Sequence, residues 1–264
     1  MKPKQTRYSN YDPIAWVYNK YWGPNVTAIQ VPPVLEKFLL PYLPPGARIL
    51  DLCCGTGHLA QVLIKRGYRV TGLDGSEEML RFARENAPGG EFLLGDARDF
   101  QLPAIYQAAV STSDSLNYIM NLEVLKVVFR NVYAALREGG LFLFDLNTES
   151  GYKSRWPGAS HCPGALSVVE EDYVFVILWS GYDSQERRGR FDHTLFLRQD
   201  GWQRSDFPLF PKYYTEGDVR SGLEAAGVKE IRAYTYDAQW DKPLSEEANR
   251  ALFVCRKPME ANAT

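Results

Sequence analysis

An α/β fold built on a doubly wound parallel sheet is the class this sequence predicts, and three observations predict it. Short apolar runs alternate with longer amphipathic stretches between residues 48 and 145. The first of those runs enters a glycine turn, Asp51-Leu52-Cys53-Cys54-Gly55-Thr56-Gly57-His58, from which a helix departs. Three successive strands end at acids, Asp51, Asp74 and Asp96. In a parallel sheet the strand carboxyl ends share one edge, so these carboxylates would converge on one crevice where the strand order reverses.

Each element has its own signal. Residues 8–22 carry Tyr11, Ile14, Ala15, Tyr18 and Trp22 at helical spacing, and Gly23-Pro24 marks the expected stop. That aromatic stripe serves equally well to pack on a core or to cap a bound ligand. A second helix is expected over 32–43, ended by Pro44-Pro45-Gly46. Strands over 48–52, 69–73, 91–94, 108–111 and 141–145 alternate with helices over 58–66, 76–86 and 122–136. Right-handed crossovers make those strands parallel. Ser76, followed by Glu77 and Glu78, suits a helix N-terminus.

The pattern changes after residue 147. Long strands are expected over 168–180 and 190–198 around a Gly181-Tyr182-Asp183-Ser184 turn, with a third over 202–210, as an antiparallel insertion. A helix over 215–226 and strands over 229–236 and 251–256 then complete a seven-stranded sheet. The expected organisation is a helical cap (1–46), a core (47–147), a β insertion forming a lid (148–212), the rest of the core (213–258) and a frayed tail (259–264).

Composition narrows the function. At 264 residues and 45% hydrophobic, the chain can bury one large core, and no apolar run approaches a membrane span. The net charge of -2 gives no general footprint for nucleic acid; Arg187-Arg188-Gly189-Arg190 reads as a solvated hairpin end. Four cysteines without C-x-x-C spacing and an N-terminus without an apolar signal region lead us to expect free thiols and a cytoplasmic protein. His58, His161 and His193 are not spaced as metal ligands, so no metal site is expected.

The strand-end residues point to a nucleoside cofactor. Gly55 and Gly57 leave bare backbone at a helix N-terminus. A carboxylate only accepts hydrogen bonds, so Asp74 can grip paired ribose hydroxyls and Asp96 an adenine amine, with Gly75 and Gly95 leaving room beside them. Met79, one turn into its helix, can lie on the adenine face or in the core.

Here the chain resembles the class I S-adenosylmethionine-dependent methyltransferases, whose first motif reads D/E-x-G-x-G-x-G, followed by an acid after strand two and G-D-A after strand three. The matching residues are Asp51, Gly55, Gly57, Asp74-Gly75-Ser76 and Gly95-Asp96-Ala97, and Cys53 stands where the family usually has glycine. That departure leads us to expect the amino-acid end of the cofactor to pass somewhat differently. The resemblance implies a Rossmann-like sheet, S-adenosyl-L-methionine as cofactor and S-adenosyl-L-homocysteine as product. It also implies that the Y-D-x-I-A-x-x-Y segment, here from Tyr11 to Tyr18, folds over the cofactor, with Trp22 beyond it. Two other readings compete: a nicotinamide-dependent dehydrogenase, whose G-x-G-x-x-G fingerprint this loop meets poorly, and a non-catalytic nucleoside sensor or scaffold.

The methyl acceptor, taken to be a small molecule, would face the segment from Ser113 to Tyr118 after strand four. In the sugar-amine N-methyltransferases that this chain resembles, the corresponding stretch reads S-x-G-H-L, whereas here it is Ser115-Leu116-Asn117-Tyr118-Ile119. If the acceptor must lose a proton, Tyr118 and His193 are the candidate bases, and Asn117 is a catalytic candidate beside them; the alternatives are that Asn117 and Tyr118 cap the next helix and pack under the insertion, and that His193 is a partly buried structural side chain. Tyr173, Phe175, Trp179, Tyr182, Phe191, Phe196, Trp202, Phe207 and Phe210 in the insertion are expected to wall an acceptor pocket, or to build a homodimer surface.

Overall fold

The computed structural model of the chain describes residues 9–155, 165–198, 200–236 and 242–259. Five strands are mutually parallel: β1 (Arg48–Leu52), β2 (Arg69–Asp74), β3 (Glu91–Leu94), β4 (Tyr106–Ser111) and β5 (Leu136–Asn147). Two more, β10 (Glu230–Thr235) and β11 (Arg250–Arg256), close one edge antiparallel, giving the order β10-β11-β5-β4-β1-β2-β3. The order reverses between β1 and β4, which places a crevice outside their carboxyl ends.

Alternation along the strands explains the two-faced burial. Leu50, Leu52, Phe142, Phe144 and Phe253 point to one side, against α5 (Leu122–Ala135) and α7 (Glu216–Ala225). Ile49, Val70, Ala108, Leu143 and Leu252 point to the other, against α2 (Ala28–Phe38) and α3 (His58–Lys65).

The N-terminal segment departs from expectation. A 3-10 turn (Asp12–Ile14), α1 (Ala15–Val17), a π-helical stretch (Tyr18–Thr27) and α2 follow one another without the stop expected at Gly23-Pro24. The wider π turn, in which the Ala28 amide donates to the Gly23 carbonyl, carries the helix through the proline. Gly23 lies against His58 so closely that a Cβ there would stand 2.2 Å from Nδ1. Tertiary packing therefore uses the residue that, read alone, signals a stop.

The insertion is an antiparallel sheet of four strands, β6 (Ala165–Val169), β7 (Tyr173–Asp183), β8 (Arg188–Arg198) and β9 (Trp202–Leu209). The single strand expected over 168–180 is split at Glu170-Glu171-Asp172, where the Glu170 amide turns back to the Tyr173 carbonyl at 2.9 Å. The next turn falls after residue 183 rather than at 181–184, because Asp183 Oδ1 accepts the amides of Gln185 and Glu186. A helix, α6 (Glu149–Arg155), precedes the sheet. His161, Cys162 and residues 260–264 lie outside the described residues.

The lid's inner face sits on the N-terminal helix, with Phe175 and Leu195 packed on Ile14 and Val17. Its aromatic residues do not form one wall: Trp202 is 53% exposed, and Phe196 lies 5.6 Å beneath the Arg204 guanidinium, on the side away from Phe191 and Leu195. The side chain of Trp179 lies outside the described residues. No helix among the described residues is long and apolar enough to cross a membrane.

Candidate active site

The glycine loop after β1 is held by an acid from the neighbouring strand. Asp74 Oδ2 accepts the Gly55 amide and Oδ1 the Ser76 amide, both at 2.9 Å. Burial raises its carboxyl above the usual range, opposed by the amides of Ser76, Gly55 and Gly75. Gly55 and Gly57 both have positive φ, 53° and 74°. At Gly57 a Cβ would stand 2.8 Å from Ala83 Cα, so glycine is what lets α3 start against α4 (Glu77–Asn86). Over Gly55 lies Tyr18, whose ring a Cβ there would meet at 3.6 Å.

Cys53 adopts φ 61°, the left-handed conformation that a glycine would take freely. The backbone route expected of glycine is thus retained, and what changes is the thiol placed beside the pocket. Burial pushes that thiol far above its usual range, so it is an uncharged wall.

The three strand-end acids do share one rim, but their situations differ. Asp51 is 2% exposed, its Oδ2 has no hydrogen-bond partner, and burial together with Asp74 pushes its carboxyl up to about 8. Asp96 is more open; burial works against its charge, and the Arg98 guanidinium forked onto both oxygens outweighs this and holds it below the usual range. Gly95 donates its amide to the Asp74 carbonyl at 3.0 Å, and Ala97 belongs to the core. Ser76 caps α4 through the Met79 amide at 3.1 Å while its hydroxyl donates to Asp12 Oδ1 at 2.6 Å; Met79 is buried.

A small pocket opens between the glycine loop and the N-terminal helix, lined by Tyr18, Thr27, Asp51, Cys53, Cys54, Thr56, His58, Leu59, Thr112 and Ser113. Asp51 Oδ2 is buried there without a partner, while the Thr27 and Ser113 hydroxyls face the Tyr18 phenol. Thr27 joins Tyr18 because the segment between them is π-helical: nine residues at about 4.4 per turn return to one face, whereas an α-helix would put them opposite. Tyr11 meets Tyr118 edge-on with ring centroids 5.9 Å apart. Burial raises the phenols of Tyr11 and Tyr18, the latter to about 12, so both stay protonated. Trp22 stands further out, 5.8 Å from Phe175 of the lid.

Sequence reasoning missed a second layer behind Ser113. Asp145, near the end of β5, accepts the Ser113 amide at 2.8 Å and the Asp114 amide at 3.0 Å, and Arg250 of β11 bridges Asp145 (3.3 Å) and Asp114 (2.6 Å). Asp145 is one more acid in the strand-end series and was legible as such; Arg250 has no local signal. Asp12 stands inside the Tyr-Asp-x-Ile-Ala segment, which marks it by motif rather than by a strand end.

Two of the residues singled out for catalysis are otherwise engaged. Asn117, fully buried, accepts the Asn147 amide at 2.9 Å and donates to the Lys212 carbonyl at 2.7 Å, so its amide ties the lid's exit to the loop after β4. His193 lies inside the lid, stacked 5.0 Å from Phe207 and flanked by Phe175 and Phe191; burial pushes its imidazole down to about 4. Tyr118 and Asp114 remain at the strand end. Among the described residues no cluster has the makings of a metal site.

Comparison with known proteins identifies the family. A family model described as a methyltransferase domain matches residues 49–140, the span from β1 into β5. A putative methyltransferase of Geobacillus sp. (strain WCH70) is 32% identical over 234 residues, covering 84% of this chain and 90% of its own. A ubiquinone biosynthesis O-methyltransferase of Xanthomonas axonopodis pv. citri is 28% identical over 68% of this chain and 74% of its own. The sugar N-methyltransferase of Streptoalloteichus sp. ATCC 53650 shares the fold with a TM-score of 0.71 at 20% identity, over 98% of this chain and 96% of that one. With the strand order, the glycine loop and the rim acids all of one kind, the chain belongs to the class I S-adenosylmethionine-dependent methyltransferases.

Proposed function

We propose that the chain transfers the methyl group of S-adenosyl-L-methionine to a nitrogen or oxygen of a small-molecule acceptor held at the end of β4. The buried, unpartnered carboxylate oxygen of Asp51 carries this reading. An isolated carboxylate in such a place is costly and calls for a cation, which the α-ammonium of the cofactor's methionine arm would supply. The Ser113 and Thr27 hydroxyls, grouped with the Tyr18 phenol, add polar atoms to the same pocket, and Asp74 keeps lone pairs for ribose hydroxyls.

The cofactor supplies an electrophilic methyl on a sulfonium, and the protein's share is alignment and exclusion of water. Tyr11 and Tyr18 give that charge uncharged aromatic surroundings. An acceptor between Tyr118 and Asp114 would find a carboxylate able to take its proton. Asn117 and His193 then support the loop and the lid rather than the reacting atoms. The named relatives act through O in one case and through a sugar N in the other, and both acceptor types fit this description. We also read the protein as cytoplasmic, with the domain limits given above, and the lid's outer face as the surface on which a homodimer would form.

Methyl-labelled cofactor offered with panels of amines, amino sugars, phenols and carboxylic acids tests the reading. Transfer to one class, lost in Asp114→Asn, is the expected result; tight cofactor binding with transfer to none would overturn it in favour of a sensor.

A further inference from the structure

The loop after β4 is held in an unusual shape. Ser113 and Asp114 are consecutive non-glycine residues in the left-handed region, at φ 61° and 53°. Each such residue is disfavoured, and two in succession persist only when the surroundings fix them. The surroundings here are the two oxygens of Asp145, one on each amide of the turn.

Asp145 is itself 2% exposed, and burial raises its carboxyl; Arg250 opposes this. The Arg250 side chain reaches Asp145 with one terminal nitrogen and Asp114 with the other, while Nε approaches Asn147 Oδ1 at 3.5 Å. It is 136 residues from Asp114 along the chain and arrives from the antiparallel edge of the sheet. A single guanidinium thus bridges two carboxylates, the buried Asp145 and the part-exposed Asp114.

We infer that Arg250 is a positioning residue for the cofactor pocket: through Asp145 and Asp114 it holds the left-handed turn that presents Ser113 to the pocket. The inference rests on the reading of that pocket as the cofactor site. Removing the guanidinium leaves both acids without their counter-charge, and the buried Asp145 must take a proton or withdraw. Either response loosens the amides of Ser113 and Asp114, and the Ser113 hydroxyl leaves its place in the pocket wall.

Titration calorimetry with S-adenosyl-L-homocysteine on the full chain tests this. Arg250→Ala is expected to bind at least about tenfold more weakly, the equivalent of one charged hydrogen bond. Guanidinium chloride, far below denaturing concentrations, should restore part of the affinity in this variant while leaving the parent unchanged, which general loosening of the fold would not produce. Arg250→Lys should fall between. If Arg250→Ala is unfolded by circular dichroism, Asp145→Asn and Arg250→Lys decide, both expected to weaken binding without loss of helix signal. Folded variants that bind as the parent does, or a loss that guanidinium does not relieve, overturn the inference. A parent chain that fails to bind the probe overturns the cofactor reading itself.

Discussion

Asp74 Oδ2 accepts the amide of Gly55 at 2.9 Å, joining the end of β2 to the loop after β1. Its other oxygen takes the Ser76 amide, so one carboxylate fixes both loops that frame the pocket. Asp74→Ala frees the amides of Gly55 and Ser76 at once and removes the proposed ribose acceptor. Hydrogen bonds to charged groups contribute about 1.5–3 kcal/mol each, so the affinity for S-adenosyl-L-homocysteine should fall by roughly tenfold to a hundredfold. Calorimetry showing equal affinity in parent and variant would remove Asp74 from the site.

If Asp51 meets the cofactor's ammonium as proposed, cofactor binding is a proton-linked event. With its carboxyl pushed up to about 8 in the free protein, most of it is protonated at neutral pH. An ammonium beside it favours the ionised form, so binding should release close to one proton at pH 7, and affinity should rise from pH 6 to pH 8. Titrations in buffers of different ionisation enthalpy measure that release. Asp51→Asn should abolish it; unchanged release in the variant would assign the proton to another group.

Gly23 and His58 form a contact that admits no side chain on the glycine. Overpacking of this kind costs about 1–3 kcal/mol, so Gly23→Ala should lower the unfolding free energy by that much. Truncating the partner, in Gly23→Ala with His58→Ala, should recover most of the loss. Denaturation of the single and double variants gives the coupling, and additive effects would mean the helix has shifted to accommodate the methyl group.

The sequence by itself determined the parallel sheet, the glycine loop and the rim acids. Those signals are local: apolar alternation, turn residues and strand-end carboxylates each occupy a few consecutive positions. Even Cys53 follows this rule, since it takes the left-handed conformation that the position demands of any residue.

Only the tertiary structure decided the rest. Gly23-Pro24 reads as a break until His58 arrives against it, and Thr27 reaches the pocket only once the intervening turns widen. His193 looks like a base in the sequence and becomes an aromatic packing element when three phenylalanines enclose it. Arg250 acquires its role from carboxylates on two other strands' ends. The physical reason is the same in each case: burial, counter-charge and close contact are supplied by residues far along the chain, and no window of neighbouring residues contains them.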